Sequence, residues 1–177
     1  KYICFQVSAA DGIITSKRWP MNYFINLFEI LSKHSHKIVL IGSLKDKLFL
    51  EKNNFYTKIN NANINRDQII DLHGLDIKNT MYLFKYTNFL ICHDSGLMHL
   101  GDFVNCDGYA LIGPTDISKS RPLSKKFEVI SLNKNCSPCI SLEKWNDNES
   151  FFNCPYDKSC MKEILPIQVY NTIKKKL

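Results

Sequence analysis

The run LICHDSGLMHLGDF, residues 90–103, ends an apolar stretch on His93 and Asp94, then continues through Ser95 and Gly96 to a second histidine, His99. A helix beginning here leaves its first main-chain amides without helical partners, and such amides form a seat for phosphate. Gly96, with no Cβ, lets a ligand approach the backbone. His99 lies one turn beyond Ser95 and Gly96, on the same face, where it is able to donate to a phosphate oxygen. Asp94 would repel phosphate but suits sugar hydroxyls, from which it can accept. A diphosphate carrying a sugar at one end reconciles the two. A plainer account, with Asp94 capping the helix and His99 hydrogen-bonded in the core, explains the run when it is taken alone.

A second group is made of thiols. Cys136 and Cys139 are spaced C-x2-C around Ser137-Pro138, and Cys154 and Cys160 follow with five residues between them. C-x2-C brings two thiolates to one tetrahedral metal and a second pair completes the set, although the second spacing is wider than usual. Four thiolates suit a structural zinc or iron. Two disulfides and a set of free buried thiols are the alternatives; the first is disfavoured in a reducing cytoplasm and the second leaves the clustering unexplained. Cys4 and Cys92 fall in apolar runs and read as small core residues.

These residues must be positioned by something, and the alternation of the chain says what. Apolar runs at 2–7, 37–43, 69–74, 88–93, 108–113 and 127–132 read as strands. Helical periodicity occupies 19–34, 44–53, 79–87 (capped by Asn79 or Thr80), 95–105 and 165–177, with YTKI at 56–59 as a weak additional strand. Strand and helix in alternation predict an α/β domain, a parallel sheet with helices on both faces. Ligands of such sheets sit beyond the carboxyl ends of the strands. Polar residues fall there repeatedly: Gly42-Ser43, His73-Gly74, Asp94-Ser95-Gly96 and Gly113-Pro114-Thr115-Asp116. Thr115 and Asp116 are placed to line the cleft, or to form an ordinary turn with Asp116 as a cap. His73 reads as a loop histidine, and His93 as an anchor for the turn beside the site.

The length of 177 residues, 45% hydrophobic, fits one domain over 1–177, with a cysteine-containing loop at 133–164 and a closing helix at 165–177. Lys and Arg exceed Asp and Glu by 23 to 17, an excess that favours an anionic ligand. Nucleic acid is not expected, because the one dense basic run, Lys174-Lys175-Lys176, lies where cations complement a helix C-terminus. The longest apolar runs are too short to span a bilayer and the first residues lack the layout of a secretory signal, so the domain is expected to be soluble. Because the chain begins on Lys1 and drops straight into an apolar strand, it is expected to be part of something longer.

The motifs SKRWP at 16–20, IVLIGS at 38–43, LHG at 72–74, DSGLMHL at 94–100, GPTD at 113–116, CSPC at 136–139 and CMKEILPIQV at 160–169 together resemble glycosyltransferase family nine, the ADP-heptose:lipopolysaccharide heptosyltransferases. The resemblance implies the Rossmann-like, donor-binding C-terminal half of a bacterial GT-B enzyme, with the N-terminal acceptor domain absent from these residues. It implies inverting transfer of a sugar, heptose from ADP-heptose, to a lipopolysaccharide core or related glycoconjugate. By it, Lys17 binds the donor's diphosphate; without it, a lone lysine before a helix would be a solvated surface residue. Asp94 holds hydroxyls of the transferred sugar, Ser95, Gly96 and His99 form the phosphate-facing helix start, and Leu75 lies near the adenine. Trp19 and Pro20 are structural. No catalytic residue is expected here, since the general base belongs to the N-terminal domain, and this domain alone should bind donor without turnover.

The resemblance also places several of these cysteines in the family motif, where some relatives hold a metal. Any metal here would be structural, and no cofactor is required for transfer. The implied location is cytoplasmic, compatible with peripheral association at the cytoplasmic face of the inner membrane. Two departures stand out: the phosphate-loop segment reads SAADGIITS at 8–16, leaving Ser8, Thr15 and Ser16 as unaligned candidates, and GDFVNCDG at 101–108 replaces small alanines. A GT-B transferase using another nucleotide sugar, and a non-catalytic nucleotide-sugar-binding or assembly module, are the alternative readings.

Overall fold

Six short strands run parallel in one sheet: β1 (Tyr2–Phe5), β2 (Lys37–Leu40), β3 (Ile69–Asp71), β4 (Leu90–His93), β5 (Gly108–Leu111) and β6 (Phe127–Ile130), in the order β3-β2-β1-β4-β5-β6. The computed structural model describes residues 1–8, 15–140 and 154–177. Successive strand residues point to opposite faces, and both faces are buried. Ile3, Phe5, Ile38, Leu40, Ile91, Tyr109 and Leu111 enter one apolar cluster. Their neighbours Cys4, Val39, Leu90, Cys92 and Ala110 enter the other. This is why the strands read as unbroken apolar runs and not as alternating ones.

Helices α1 (Met21–Leu31), α2 (Leu44–Lys52), α3 (Phe55–Asn61), α4 (Ile77–Tyr86), α5 (Gly96–Phe103), α6 (Ile117–Ser120), α7 (Ser159–Lys162) and α8 (Pro166–Ile173) connect or close the sheet. Phe24, Leu27, Phe28 and Leu31 of α1 pack with Val169 and Ile173 of α8 on the first face. Phe84 of α4 and Met98 of α5 cover the second. The Rossmann-like α/β architecture expected from the sequence is therefore present.

Two expectations are corrected. YTKI at 56–59 is not a strand but lies within α3, because Phe55 and Ile59, four apart, are both buried against the core on one helical face. The helix placed at 79–87 starts earlier, at Ile77. Its N-cap is Asp76, whose carboxylate accepts from the Asn79 main-chain N–H at 2.7 Å. Asn79 and Thr80 are thus inside the first turn.

The strand order reverses direction between β1 and β4. Connections leaving those two strands diverge to opposite sides and open a crevice at the carboxyl edge, where doubly wound sheets bind ligands. On the second face β5 packs closely against the Phe127 ring. A Cβ added at Gly108 in β5 would lie 2.3 Å from the Phe127 ring. Gly108→Ala is therefore expected to overpack the β5/β6 contact and cost about 1–3 kcal/mol, read as a lowered urea midpoint at unchanged slope.

Candidate functional site

A cavity of about 680 Å³ opens at this switch point, lined by Gln6 after β1, Lys17, the β2–α2 turn (Ile41, Gly42, Ser43, Asp46), Leu72, Leu75, Ile77 and Thr80, and the run Asp94–Leu97 with Leu100. Its lining combines two chemistries. Ile41, Leu72, Leu75, Ile77, Leu97 and Leu100 make an apolar portion suited to a flat ring, while Lys17, Asp94, Ser95 and Gly96 are polar and converge at the start of α5.

Lys17 Nζ lies 2.8 Å from Asp94 Oδ2, with side chains 17% and 9% exposed. The Asp94 carboxylate does not cap α5. The N-cap is Ser95, and its side chain makes no capping bond either. The hydroxyl instead donates to Gln6 Oε1 at 2.7 Å. The amides of Gly96 and Leu97, first in the helix, therefore keep no side-chain acceptor from the cap. A Cβ built at Gly96 would meet nothing within 4 Å, so the approach to those amides is open.

What holds Lys17 there is the segment that carries it. Thr15–Lys17 forms a single 3-10 turn, and Trp19 follows, 1% exposed. The Trp19 main-chain N–H donates to His93 Nε2 at 3.0 Å, and its indole Nε1 donates to the Ile164 carbonyl at 2.7 Å. His93, at the end of β4 directly before Asp94, is thus the anchor the sequence suggested. Because Nε2 accepts, the ring is neutral and its proton sits on Nδ1. Burial, reinforced by the Arg18 charge, pushes the His93 imidazole down to about 3.

Other expected residues are placed differently. Leu75 lines the apolar portion. His99 is exposed and is not among the lining side chains, so the helix presents its amides without that imidazole. Thr115 is buried, with its hydroxyl unpartnered, and it too lies outside the lining. The Gly113-Pro114 turn serves the cysteine region: the Pro114 carbonyl accepts from the main-chain amides of Cys139 and Ile140, and the Gly113 carbonyl from the Ser137 hydroxyl. Asp116 is an N-cap, accepting from the Ser118 amide at 2.9 Å. Ser8 and Ser16 are buried with unpartnered hydroxyls. Residues 9–14, most of the SAADGIITS segment, lie outside the described residues, as do 141–153 of the cysteine loop.

His73 is more than a loop histidine. Its ring is buried, and Nδ1 sits 2.7 Å from Asp71 Oδ1. Burial works to raise the Asp71 carboxyl, but hydrogen bonds from the His73 main chain and ring, Tyr56 and Lys47 outweigh it and hold Asp71 at about 2. Sequence reasoning also missed Gln6 and Asp46, and noted Ser43 only as a polar strand-end residue. Asp46 accepts from the Ser43 amide and hydroxyl in a reciprocal cap of α2 at the cavity wall. An S-x-x-D pattern after a strand was the available signal; for Gln6 there was none.

The four cysteines of the second group converge. Cys136, Cys139, Cys154 and Cys160 all line one cavity of about 160 Å³, together with Ser16 and Pro114. Burial, then the neighbouring thiols of Cys139, Cys154 and Cys136, push Cys160 up to about 11. The Lys158 amide donates to Cys154 Sγ at 3.3 Å. Among the described residues, no three such groups stand close enough to chelate one ion as they are.

The model of glycosyltransferase family 9 (heptosyltransferase) matches residues 1–149. A lipooligosaccharide heptosyltransferase 2 from Haemophilus ducreyi is 33% identical over 120 residues, covering 66% of this chain and 33% of that protein. Among solved structures, the Escherichia coli ADP-heptose lipopolysaccharide heptosyltransferase II superposes with a TM-score of 0.73 at 24% identity, over 99% of this chain and 46% of that one. An iron-containing dodecameric glycosyltransferase from enterotoxigenic Escherichia coli gives 0.67 at 17% identity, over 99% and 46%. The chain thus spans about half the length of its solved neighbours.

The His93 geometry has a pH consequence. A histidine whose folded value lies below its ordinary 6.5 contributes full stability above that pH and loses it as pH falls toward about 3. For one buried group the loss is about 1.4 kcal/mol per pH unit. Thermal midpoints followed from pH 7 to 5 are expected to fall, and His93→Asn, whatever its overall stability, is expected to show a flatter slope. His36, also lowered by burial, accounts for part of the slope that remains.

Proposed function

The chain belongs to glycosyltransferase family 9, the heptosyltransferase family, and on that premise we propose that it is the donor-binding, C-terminal half of a GT-B enzyme that transfers heptose from ADP-heptose. The acceptor is a lipopolysaccharide core or related glycoconjugate, bound by an N-terminal domain of the kind the family carries. The observation that carries this reading is the convergence of Lys17, Asp94 and the open start of α5 in one cavity that also has an apolar portion.

In this reading the adenine occupies the apolar portion against Leu75 and Leu97, and the diphosphate rests on the amides of Gly96 and Leu97. Lys17 reaches over the diphosphate, and Asp94 accepts from hydroxyls of the sugar. Negative charge grows on the departing ADP during transfer, and fixed amides and an ammonium group aimed at it stabilise it without rearrangement. The base that deprotonates the acceptor hydroxyl belongs to the N-terminal domain. The enzyme works in the cytoplasm on an acceptor held at the inner membrane; among the described residues no helix is long and apolar enough to cross a membrane.

The cysteine cavity fits a structural metal by its donor set: four thiols on one small cavity, with an N–H already donated to Cys154 sulfur, as thiolates attract. Cys136, Cys139, Cys154 and Cys160 would hold zinc or iron, drawing together to do so. The metal would supply cross-linking of the loop to the domain and take no part in transfer. A structural neighbour that contains iron supports iron as one of the two candidate metals.

Two measurements test these readings. By calorimetric titration, Lys17→Ala is expected to weaken ADP by roughly tenfold or more, the value of a charge-assisted contact. Asp94→Ala should spare ADP and weaken only ADP-heptose, and tighter binding of UDP or GDP than of ADP would overturn the choice of donor. Metal analysis of the purified protein is expected to find about one zinc or iron per chain, and chelation to lower the thermal midpoint by roughly 5 °C while ADP affinity stays measurable. Metal-free protein with an unchanged midpoint would remove the metal.

A further inference from the structure

Gln6 follows β1 at the switch point, with its main-chain N–H bonded to the Ile91 carbonyl at 2.9 Å. The residue is 5% exposed and lines the large cavity. The amide oxygen accepts from the Ser95 hydroxyl at 2.7 Å and, more loosely, from the His93 main-chain N–H at 3.4 Å. A main-chain N–H can only donate, so the oxygen must face β4 and the NH2 group must be the other end. Among the described residues, that Nε2 has no protein acceptor, and it is not sealed in the interior.

Two consequences follow from this one side chain. The Ser95 hydroxyl is held by Gln6, so the N-cap does not fold back on its own helix, and the Met98 amide turns to the Ser95 main-chain carbonyl instead. A second, neutral donor is also left on the wall that carries Lys17 and the Gly96 amide. A nearly buried NH2 beside an ammonium group and open helix amides is complementary to a ligand with acceptors only, and an anionic oxygen is the strongest of these.

We propose that Gln6 is a further diphosphate-binding residue, donating from Nε2 to a phosphate oxygen of the nucleotide while its Oε1 keeps the start of α5 open. This rests on the nucleotide-donor reading above. It concerns a residue with no charge and no recognisable motif, and it makes the phosphate seat depend on β1 as well as on α5.

Gln6→Glu tests it, because it retains an acceptor for Ser95 and His93 while replacing the donor with an anionic oxygen. Gln6→Met removes the donor without adding charge. Calorimetric titration is expected to show ADP weakened by roughly tenfold or more in Gln6→Glu and by several-fold in Gln6→Met. Adenosine, measured by competition, should bind all three proteins alike. ADP binding at wild-type affinity in Gln6→Glu, with a wild-type thermal midpoint, would overturn the assignment of Gln6 alone. Equal weakening of ADP and adenosine would also overturn it, by making Gln6 a wall of the cavity and not a phosphate ligand. Absence of ADP binding by the wild type would overturn the nucleotide reading, and this inference with it.

Discussion

The hydrogen bond from the Trp19 main-chain N–H to His93 Nε2 is the constraint on which the site depends. Lys17 belongs to the segment after β1, and Asp94 to the end of β4, 77 residues later. Sheet pairing aligns the two strands but does not place the segment that leaves β1. The Trp19–His93 bond does, two residues from Lys17 and one from Asp94, and it works only while the imidazole is neutral. Protonation at Nε2 would set one donor against another inside the core. Burial and the Arg18 charge keep the imidazole neutral, and that neutrality preserves the bond that places Lys17.

Pairing Lys17 with Asp94 also decides how the cavity receives a ligand. An unpaired carboxylate at the start of α5 would oppose a phosphate, and an unpaired ammonium would cost desolvation at 17% exposure. Together they are nearly neutral, and the remaining field comes from the helix amides, which favours an anion. A diphosphate can compete for Lys17 because its several oxygens offer more acceptors than one carboxylate does. Asp94 is then left with lone pairs for hydroxyls. In the proposed donor complex the two members of this pair would thus serve the diphosphate and the sugar respectively.

Much of this was legible in the sequence because the signals were of the kind that local chemistry fixes. Unbroken apolar runs marked strands buried on two faces, and Ser95-Gly96 after β4 marked an open helix start. The failures have physical causes too. YTKI combines β-branched and aromatic residues that suit a strand, yet burial of Phe55 and Ile59 on one face made it helical. Asp76 was passed over as a cap for α4 because Asn79 and Thr80, also good cap residues, stood nearer the apolar pattern. Helical spacing and the family resemblance both put His99 beside Ser95, but spacing fixes a face and not how far the cavity extends along it, and the imidazole lies exposed outside the lining. Gln6 could not be read at all: its role comes from the adjacency of β1 and β4, a tertiary fact with no local pattern.

The same adjacency joins the two cavities. Ser16 lines the cysteine cavity and Lys17 the large one, so consecutive residues of one 3-10 turn face different compartments. The Gly113 backbone is packed tightly at the cysteine side, where a Cβ would come within 2.9 Å of Cys160 Sγ, and the Trp19 indole reaches the Ile164 carbonyl just beyond α7. The turn is therefore gripped from the cysteine region as well as from His93.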